Sequence, residues 1–305
     1  MQIIYQGTDI TAYVDVTEAV HRDYACGRCD CLDLTLDHAG VWHRWGPCQD
    51  DAIELRWGGY TTGTLYLDTV EPEDGKYRIL ATALRSDARR RAWESYENRR
   101  MDELFSLCAA KTQMGCRLYG MDGSITYPYL IRRNESCAAF LARLMRMEGA
   151  ALKTYGGRYT AISIGAAQDG AVSETLRIDA DRYGVRYRRR SGQKVQSCIV
   201  KTPYASAAAA DAAVPSGACM VVCDAPAMDD VTAGRWARGL LLCANRQAET
   251  LDIETELDIA MTAMCRIDIV SASDLSGAWL VDEVKHDFVR KRSTARLLRC
   301  IRTIA

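Results

Sequence analysis

Cysteine and histidine, the residue types that most often hold zinc in proteins, are concentrated between residues 26 and 48. The segment contains four thiols and two imidazoles: Cys26, Cys29, Cys31, His38, His43 and Cys48. These are enough ligands for one tetrahedral zinc ion. However, no second Cys-x2-Cys pair completes a known zinc motif, and Cys29 and Cys31 begin an alternating strand pattern. We therefore expect reduced thiols and no bound metal, with a zinc-dependent or cell-wall-degrading hydrolase as the alternative.

Other catalytic signatures are missing from the sequence, including the phosphate-binding loop, the dinucleotide fingerprint, the HExxH zinc helix and the GxSxG nucleophile elbow. The chain has four histidines. His286 lies at the end of a predicted strand, where a catalytic base is conceivable, but a lone histidine is more often structural. The adjacent carboxylates Asp50-Asp51 and Asp229-Asp230 would point to opposite faces of a strand and fit turns and helix caps better. We expect no enzymatic activity and no cofactor.

Composition narrows the class of protein further. The chain has 305 residues, a net charge of −1 and 13 cysteines. A near-neutral charge argues against a general nucleic-acid binder, although three basic runs (89–91, 188–190 and 290–292) leave a nucleic-acid-contacting module as a third alternative. No apolar run approaches the roughly 18 residues of a membrane span. The N-terminus predicts a strand and no secretory signal, so we expect synthesis in a reducing cytoplasm.

Hydrophobic periodicity divides the chain into three predicted regions. Residues 1–86 alternate as strands separated by polar turns, which indicates an all-β domain. Residues 87–172 contain two helical patterns, near 101–108 and 134–149, and a hairpin with a Gly-Gly turn, which indicates a small α+β domain. Residues 173–305 predict a second β domain with one inserted helix at 229–247. The alanine-rich segment 205–213 is predicted to be a loop or a frayed helix.

One pattern of strands occurs twice, once near each end of the chain. Ile53 and Ile267 each precede a glycine by ten positions, an aspartate follows that glycine by five, and a valine comes two later. The framework of this repeat is Gly63, Asp68 and Val70 in the first copy and Gly277, Asp282 and Val284 in the second. Each glycine opens the second strand of its unit, where a positive φ or a close backbone approach is expected. The repeat predicts two similar β modules in one chain.

The order of motifs resembles the late control protein D family, the tail or baseplate hub proteins of phages and of related contractile injection particles. That family has an ESxxxFLxRLxxxxGA pattern on its middle helix and a closing VxHxF/I strand. The first pattern is matched by Glu135, Ser136, Phe140, Leu141, Arg143, Leu144, Gly149 and Ala150, and the second by Val284, His286 and Phe288. The likeness covers nearly the whole chain.

This resemblance implies an α+β, mainly β fold with two tube-like β-barrel domains and an intervening small α+β domain. It also implies a homotrimeric ring that adapts a hexameric tail tube to a trimeric spike, in the baseplate of a virion tail or bacteriocin-like particle assembled in the bacterial host. Tape-measure and baseplate wedge proteins are further implied partners, with no specific nucleic acid and no membrane span. The chain has no lysozyme-like or LysM-like stretch, so we expect no cell-wall cleavage.

Overall fold

The computed structural model describes residues 1–38, 40, 44–178 and 184–301. Within these ranges, the first region contains β1 (Gln2–Tyr5), β2 (Thr8–Asp9), β3 (Val16–Tyr24), β4 (Cys31–Leu36), β5 (Ala52–Trp57), β6 (Tyr60–Thr61), β7 (Leu65–Glu73) and β8 (Lys76–Thr82). The middle region contains β9 (Ala92–Arg100), α1 (Met101–Lys111), β10 (Gly115–Tyr119), β11 (Thr126–Glu135), α2 (Cys137–Met147), β12 (Ala150–Tyr155), β13 (Arg158–Ser163) and α3 (Ile164–Gln168).

The last region contains β14 (Val172–Arg177), β15 (Val185–Arg189), β16 (Val195–Lys201), β17 (Ser206–Ala210), β18 (Ala218–Val222), α4 (Asp230–Asn245), β19 (Glu249–Glu256), β20 (Arg266–Val270), β21 (Gly277–Asp287) and β22 (Arg292–Arg299). The prediction of a mainly β chain of the α+β class is therefore confirmed. The three predicted helices also form, as α1, α2 and α4.

Strands from both ends of the sequence join one 14-stranded sheet. Its main path runs β15-β19-β22-β21-β3-β4-β8-β7-β5-β1-β2, with β20 attached to β21, β14 attached to β20, and β6 attached to β5. The N-terminal strands enclose one apolar core and the C-terminal strands enclose another. Alternation explains both cores: in β4, for example, Leu32, Leu34 and Leu36 all point inward and are fully buried.

A third and larger core lies in the middle of the chain. It is shared by the two-stranded sheet of β9 and β11, the three-stranded sheet of β10, β13 and β12, and the segment inserted between β15 and β19. That insertion holds its own sheet of β17, β16 and β18 together with helix α4. The predicted inserted helix thus comes with three strands, and it packs against helix α2 of the middle region.

Helix α2 carries the family-like pattern, and its residues act in folding. The Ser136 hydroxyl accepts a hydrogen bond of 3.1 Å from the backbone N–H of Ala139, which caps the helix N-terminus. The Arg143 guanidinium pairs with Glu135 at 3.0 Å. Phe140 is completely buried on the apolar face. These contacts fix the helix between its sheet and α4.

The alanine-rich segment was predicted wrongly as a loop or a frayed helix. Residues 206–210 form strand β17, which pairs antiparallel with β16. A run of alanines gives no apolar–polar alternation, so its sequence carries no period-2 signal. Small side chains suit this strand because α4 lies close against it: a Cβ at Gly234 would be 3.6 Å from the Ala207 methyl carbon. Packing against the helix thus overrides the helical propensity of alanine.

Helix α4 lies close to the end of α2 at Gly239. A Cβ built at Gly239 would lie 2.1 Å from the Met147 carbonyl oxygen and 2.4 Å from the Gly149 nitrogen. Gly149 itself has a φ of +68°, which ends helix α2 at little cost because glycine tolerates the left-handed region. Two glycines therefore set the distance between these helices.

We expect Gly239→Ala to destabilise the protein by about 3 kcal/mol, because the new methyl must displace backbone atoms that have no room to move. The matched control is Gly234→Ala in the same helix, where the methyl meets only ordinary contacts. That change should be neutral or stabilise by up to about 1 kcal/mol through helix propensity. Urea denaturation monitored by circular dichroism gives both values, and equal effects of the two substitutions would contradict this account.

Candidate assembly interface

The two repeat segments form equivalent strand pairs. In the first copy Ile53 of β5 faces Leu65 of β7, and in the second Ile267 of β20 faces Trp279 of β21. Both pairs are antiparallel and separated by the same twelve positions along the chain. Each second strand then bulges at the repeat aspartate, since the register shifts between residues 67 and 69 in β7 and between residues 281 and 283 in β21. Asp68 and Asp282 thus occupy matching irregular positions.

The equivalence extends far beyond the segments in which it is visible by sequence. The strand order β3-β4-β8-β7-β5 is matched by β15-β19-β22-β21-β20, and the strands follow one another along the chain in the same order in both sets. We call these sets the N-module and the C-module. Equivalent buried residues fill the two cores: Leu32 and Leu251, Leu34 and Ile253, Ile53 and Ile267, Leu55 and Ile269, Leu65 and Trp279, Leu67 and Val281.

Two local features also recur at matching places. Asp50 and Met264 both have a positive φ, +68° and +71°. The N–H of each donates a hydrogen bond to the carbonyl of the last residue before the bulge, which is Leu67 for Asp50 and Val281 for Met264. An arginine–aspartate ion pair bridges the first two strands of each module, Arg22–Asp33 at 3.1 Å and Arg188–Asp252 at 3.0 Å. The modules differ at their outermost strand, because β1 runs antiparallel to β5 whereas β14 runs parallel to β20.

The repeat glycines both have positive φ, +65° at Gly63 and +127° at Gly277. A Cβ at Gly63 would lie 3.1 Å from the Cα of Gly156, so the N-module touches the β12–β13 turn there. A Cβ at Gly277 would lie 3.2 Å from a guanidinium nitrogen of Arg299. Val70 and Val284 line the N-module and C-module cores, respectively.

Strand β21 joins the two modules because it changes partner at its bulge. Its first part, residues 277–280, pairs with β20, and residues 283–287 pair antiparallel with β3 of the N-module. Beyond the ladder, the Asp282 carbonyl accepts a hydrogen bond of 2.9 Å from the Ala25 N–H, and the Phe288 N–H donates one of 2.9 Å to the Ala19 carbonyl. We call this contact the seam. It makes one continuous sheet of the two modules.

Histidines face each other across the seam, where His21 is opposite His286. Both are buried. The His286 ring hydrogen-bonds the Ser293 hydroxyl through Nδ1 at 2.8 Å and the Met261 carbonyl through Nε2 at 3.0 Å. Burial lowers the pKa of His286, and it lowers that of His21 to about 3. These geometries give both histidines a structural role in the seam.

A buried ion cluster connects the seam to the middle region. The Lys153 ammonium of β12 lies between the carboxylates of Asp23, which it contacts directly, and Asp30, whose Oδ2 is 3.0 Å from Nζ. Asp23 also accepts a hydrogen bond of 3.0 Å from the Ala263 N–H of the C-module, and Asp30 accepts one of 3.0 Å from Tyr24. One cluster thus contacts the N-module, the C-module and the middle hairpin.

Burial and charge pull the pKa values of this cluster in different directions. Burial raises the pKa of Asp30 to about 7, against the attraction of Lys153. For Asp23, burial acts upward too, but Lys153 and a hydrogen bond from Ala263 bring the net pKa below its usual range. Burial alone would lower the pKa of Lys153, and the two carboxylates more than reverse that. The ammonium therefore keeps at least one carboxylate charged inside the protein.

Sequence patterns singled out none of these three residues. The available signal is the strand alternation that places Asp23 in phase with Ala19 and His21 on the inner face of β3, since a charged residue at such a position needs a partner. The identity of that partner is not encoded locally, because Lys153 is 130 positions away.

The cysteine- and histidine-rich segment does not gather into a site in the part of the chain that is described. Cys26 and Cys48 are exposed, whereas Cys29 and Cys31 are half-buried at the start of β4. His38 lies 3.2 Å from a carboxylate oxygen of Asp15, and His43 is outside the described residues. Among the described residues, no group of three or more His, Cys, Asp or Glu side chains is arranged to hold a metal ion.

No protein-family model and no curated protein matches the sequence. Solved structures do match over nearly its full length. A 43 kDa tail protein of prophage MuSo2 from Shewanella oneidensis aligns with a TM-score of 0.73 at 11% identity, covering 98% of this chain and 97% of the other. A tail protein from Neisseria meningitidis MC58 aligns with a TM-score of 0.76 at 10% identity, covering 98% and 95%. The chain shares its fold with phage tail proteins.

A third match lies outside phages. The Escherichia coli c3393 protein, described as a type VI secretion component with structural similarity to the T4 tail proteins gp27 and gp5, aligns with a TM-score of 0.63 at 11% identity. The alignment covers 99% of this chain and 78% of that one. The tail-protein fold of this chain therefore has a relative in a bacterial secretion machine.

Arginines from all three basic runs of the sequence form ion pairs within the chain. Arg89 pairs with Asp68 at 2.6 Å, beside the first bulge. Arg188 pairs with Asp252, and Arg292 pairs with Glu254. Each run therefore supplies at least one arginine to the framework of the modules. In the described ranges, none of the helices is long and apolar enough to cross a membrane.

We expect Lys153→Met to destabilise the protein by about 3–5 kcal/mol, because it leaves two buried carboxylates without a cation. The loss should grow as pH rises from 5 to 8. When folding raises the pKa of an acid, the protein loses stability as the pH rises from the usual pKa to the raised one. The pKa of Asp30 is already raised to about 7 with the lysine present. Thermal and urea unfolding across this pH range measure the effect.

Two variants serve as controls for this prediction. Lys76→Met removes an exposed ammonium at the start of β8 and should change stability by no more than about 0.5 kcal/mol. Adding Asp23→Asn and Asp30→Asn to Lys153→Met removes the buried charges and should abolish the extra pH dependence. A Lys153→Met protein with the stability and pH profile of the wild type would contradict the role of the cluster.

Proposed function

We propose that this chain is a structural hub protein of a phage tail or of a related contractile injection particle, of the late control protein D type. Three copies form a ring that adapts a hexameric tail tube to a trimeric spike. The observation that carries this proposal is the duplicated module, whose strand order, register, bulge and ion pair recur within one chain. Similarity of fold to phage tail proteins supports it.

The argument from symmetry is geometric. A ring of three chains with one module each presents three equivalent backbones, which cannot match six tube subunits one to one. With two equivalent modules per chain, the same ring presents six similar surfaces while keeping true threefold symmetry for the spike. The separate core of each module supports the proposal of two tube-like β-barrel domains. We assign residues 1–86 and 173–305 to them and 87–172 to the small α+β domain.

In this proposal the partners are the tail tube and spike proteins, with tape-measure and baseplate wedge proteins as further neighbours. The protein is made in the bacterial host and resides in the virion tail or in a bacteriocin-like particle. It makes and breaks no bond, binds no specific nucleic acid and needs no cofactor. The fold likeness to the Escherichia coli c3393 protein, which is described as similar to the T4 tail proteins gp27 and gp5, supports a role in a tail or injection assembly.

Oligomeric state tests this proposal. The purified chain, alone at high concentration or mixed with the spike and tube proteins of the same particle, should give a trimer in light scattering and native mass spectrometry. Negative-stain images of that species should show a ring with six similar outer lobes, since each chain supplies two. A chain that remains monomeric with both partners present would overturn the proposal.

A further inference from the structure

Each of the two modules has an open strand edge that bears on assembly. Among the described residues, β15 pairs only with β19, and residues 69–73 of β7 pair only with β8. The first edge belongs to the C-module and the second to the N-module. Open edges of this kind offer a row of backbone donors and acceptors to another strand. Each is therefore a surface on which a further strand could add.

The seam joins the equivalents of these same two edges. By register, β3 in the N-module corresponds to β15 in the C-module, and residues 283–287 of β21 correspond to residues 69–73 of β7. Inside one chain, β3 and residues 283–287 are paired antiparallel. Thus the seam uses the edge of β3 in the N-module and the edge of residues 283–287 in the C-module. Among the described residues, the equivalent edges stay open, namely β15 in the C-module and residues 69–73 in the N-module.

We propose that the open edges pair with each other between neighbouring copies, so that β15 of one chain adds antiparallel to residues 69–73 of the next. This inference rests on the proposed function, because it specifies the contact that builds the ring. Transfer of the seam register places Glu71 opposite Arg188 and Glu73 opposite Arg186. On the other face, Pro72 lies opposite Tyr187. The contact is head-to-tail, as ring closure requires.

Charge favours this partner. The edge of β7 is acidic and exposed through Glu71 and Glu73, while the β15 edge carries Arg186 and Arg188. In the described part of the chain, none of the ion pairs involves Glu71, Glu73 or Arg186. The transferred register puts these opposite charges directly across from one another, where cross-strand pairs are stabilising. A second copy of this chain therefore fits each edge.

Pro72 makes this contact weaker than the seam. The seam hydrogen bonds at residues 282 and 288 show that the even-numbered residues of β21 direct their backbone toward β3. Pro72 is equivalent to His286, so its nitrogen faces the open edge and donates no hydrogen bond. The contact between copies thus has one ladder bond fewer than the seam. A proline at an open edge also limits pairing with unrelated strands.

Charge reversal and charge exchange test the proposed contact in the full-length protein. Glu73→Arg and Arg186→Glu should each weaken trimer formation at least about tenfold, since like charges would then face each other. The double variant E73R/R186E restores opposite charges and should recover association to within about threefold of the wild type. Sedimentation velocity over a concentration series measures these constants.

Two matched variants exclude a general effect of surface charge. Arg177 is an exposed residue of the edge strand β14, and Glu97 is an exposed residue of β9. Arg177→Glu and Glu97→Arg should each leave the trimer intact. Thermal unfolding of every variant shows that it folds. A wild-type trimer unaffected by either reversal, or a double variant no better than the single ones, would overturn this contact and leave the hub proposal standing. A wild type that never forms trimers would instead overturn the hub proposal itself.

Discussion

The arrangement of the three regions depends on burying one ammonium between two carboxylates. Removing these charges from water is costly, so each must keep its partner at contact distance. Asp23 and Asp30 belong to the N-module, Lys153 to the middle hairpin, and the N–H of Ala263 in the C-module completes the cluster. A shift of any region would cost a buried carboxylate either its ion-pair partner or a hydrogen bond. The cluster therefore fixes orientation, which apolar contacts alone specify less sharply.

Backbone hydrogen bonds across the seam hold the two modules in that orientation. Along one side, strand β21 pairs with β20 of its own module up to Leu280 and with β3 of the N-module from Glu283 onward, while β22 of its own module stays paired along the other side. The bulge between residues 281 and 283 lies where the partner changes. The same bulge in β7 lies next to an open edge, so the geometry that links modules within a chain is present a second time, and there no further strand pairs with it among the described residues. Insertions are accommodated elsewhere: β16, β17, β18 and α4 enter between β15 and β19, where the N-module has only the short connection from β3 to β4.

Sequence reasoning recovered what repeats locally and missed what depends on distant contacts. The spacing of Ile53, Gly63 and Asp68 against Ile267, Gly277 and Asp282 indicated a repeated β unit, because bulges and positive-φ positions constrain residue type at fixed offsets. The remaining equivalent strands escaped notice, since alternating apolar residues look alike in any strand. Strand β17 was missed because alanines carry no alternation, and Lys153 because its partners are remote in sequence.

The two modules remain similar at the positions that fill their cores and differ at positions on their junction edges. Inward positions remain apolar in both, as in Leu34 and Ile253, because each module must fill its own core. At the junction edges several residues differ in kind: His286 and Lys285 at the seam correspond to Pro72 and Glu71 at the open edge. A buried seam that forms once during folding has to satisfy histidine rings and a full ladder, whereas an edge exposed in the free chain has to remain soluble until it meets its partner. Charge and proline at the open edge meet that second requirement, so in the proposed ring the backbone shared by the two modules serves one joint made during folding and another made during assembly.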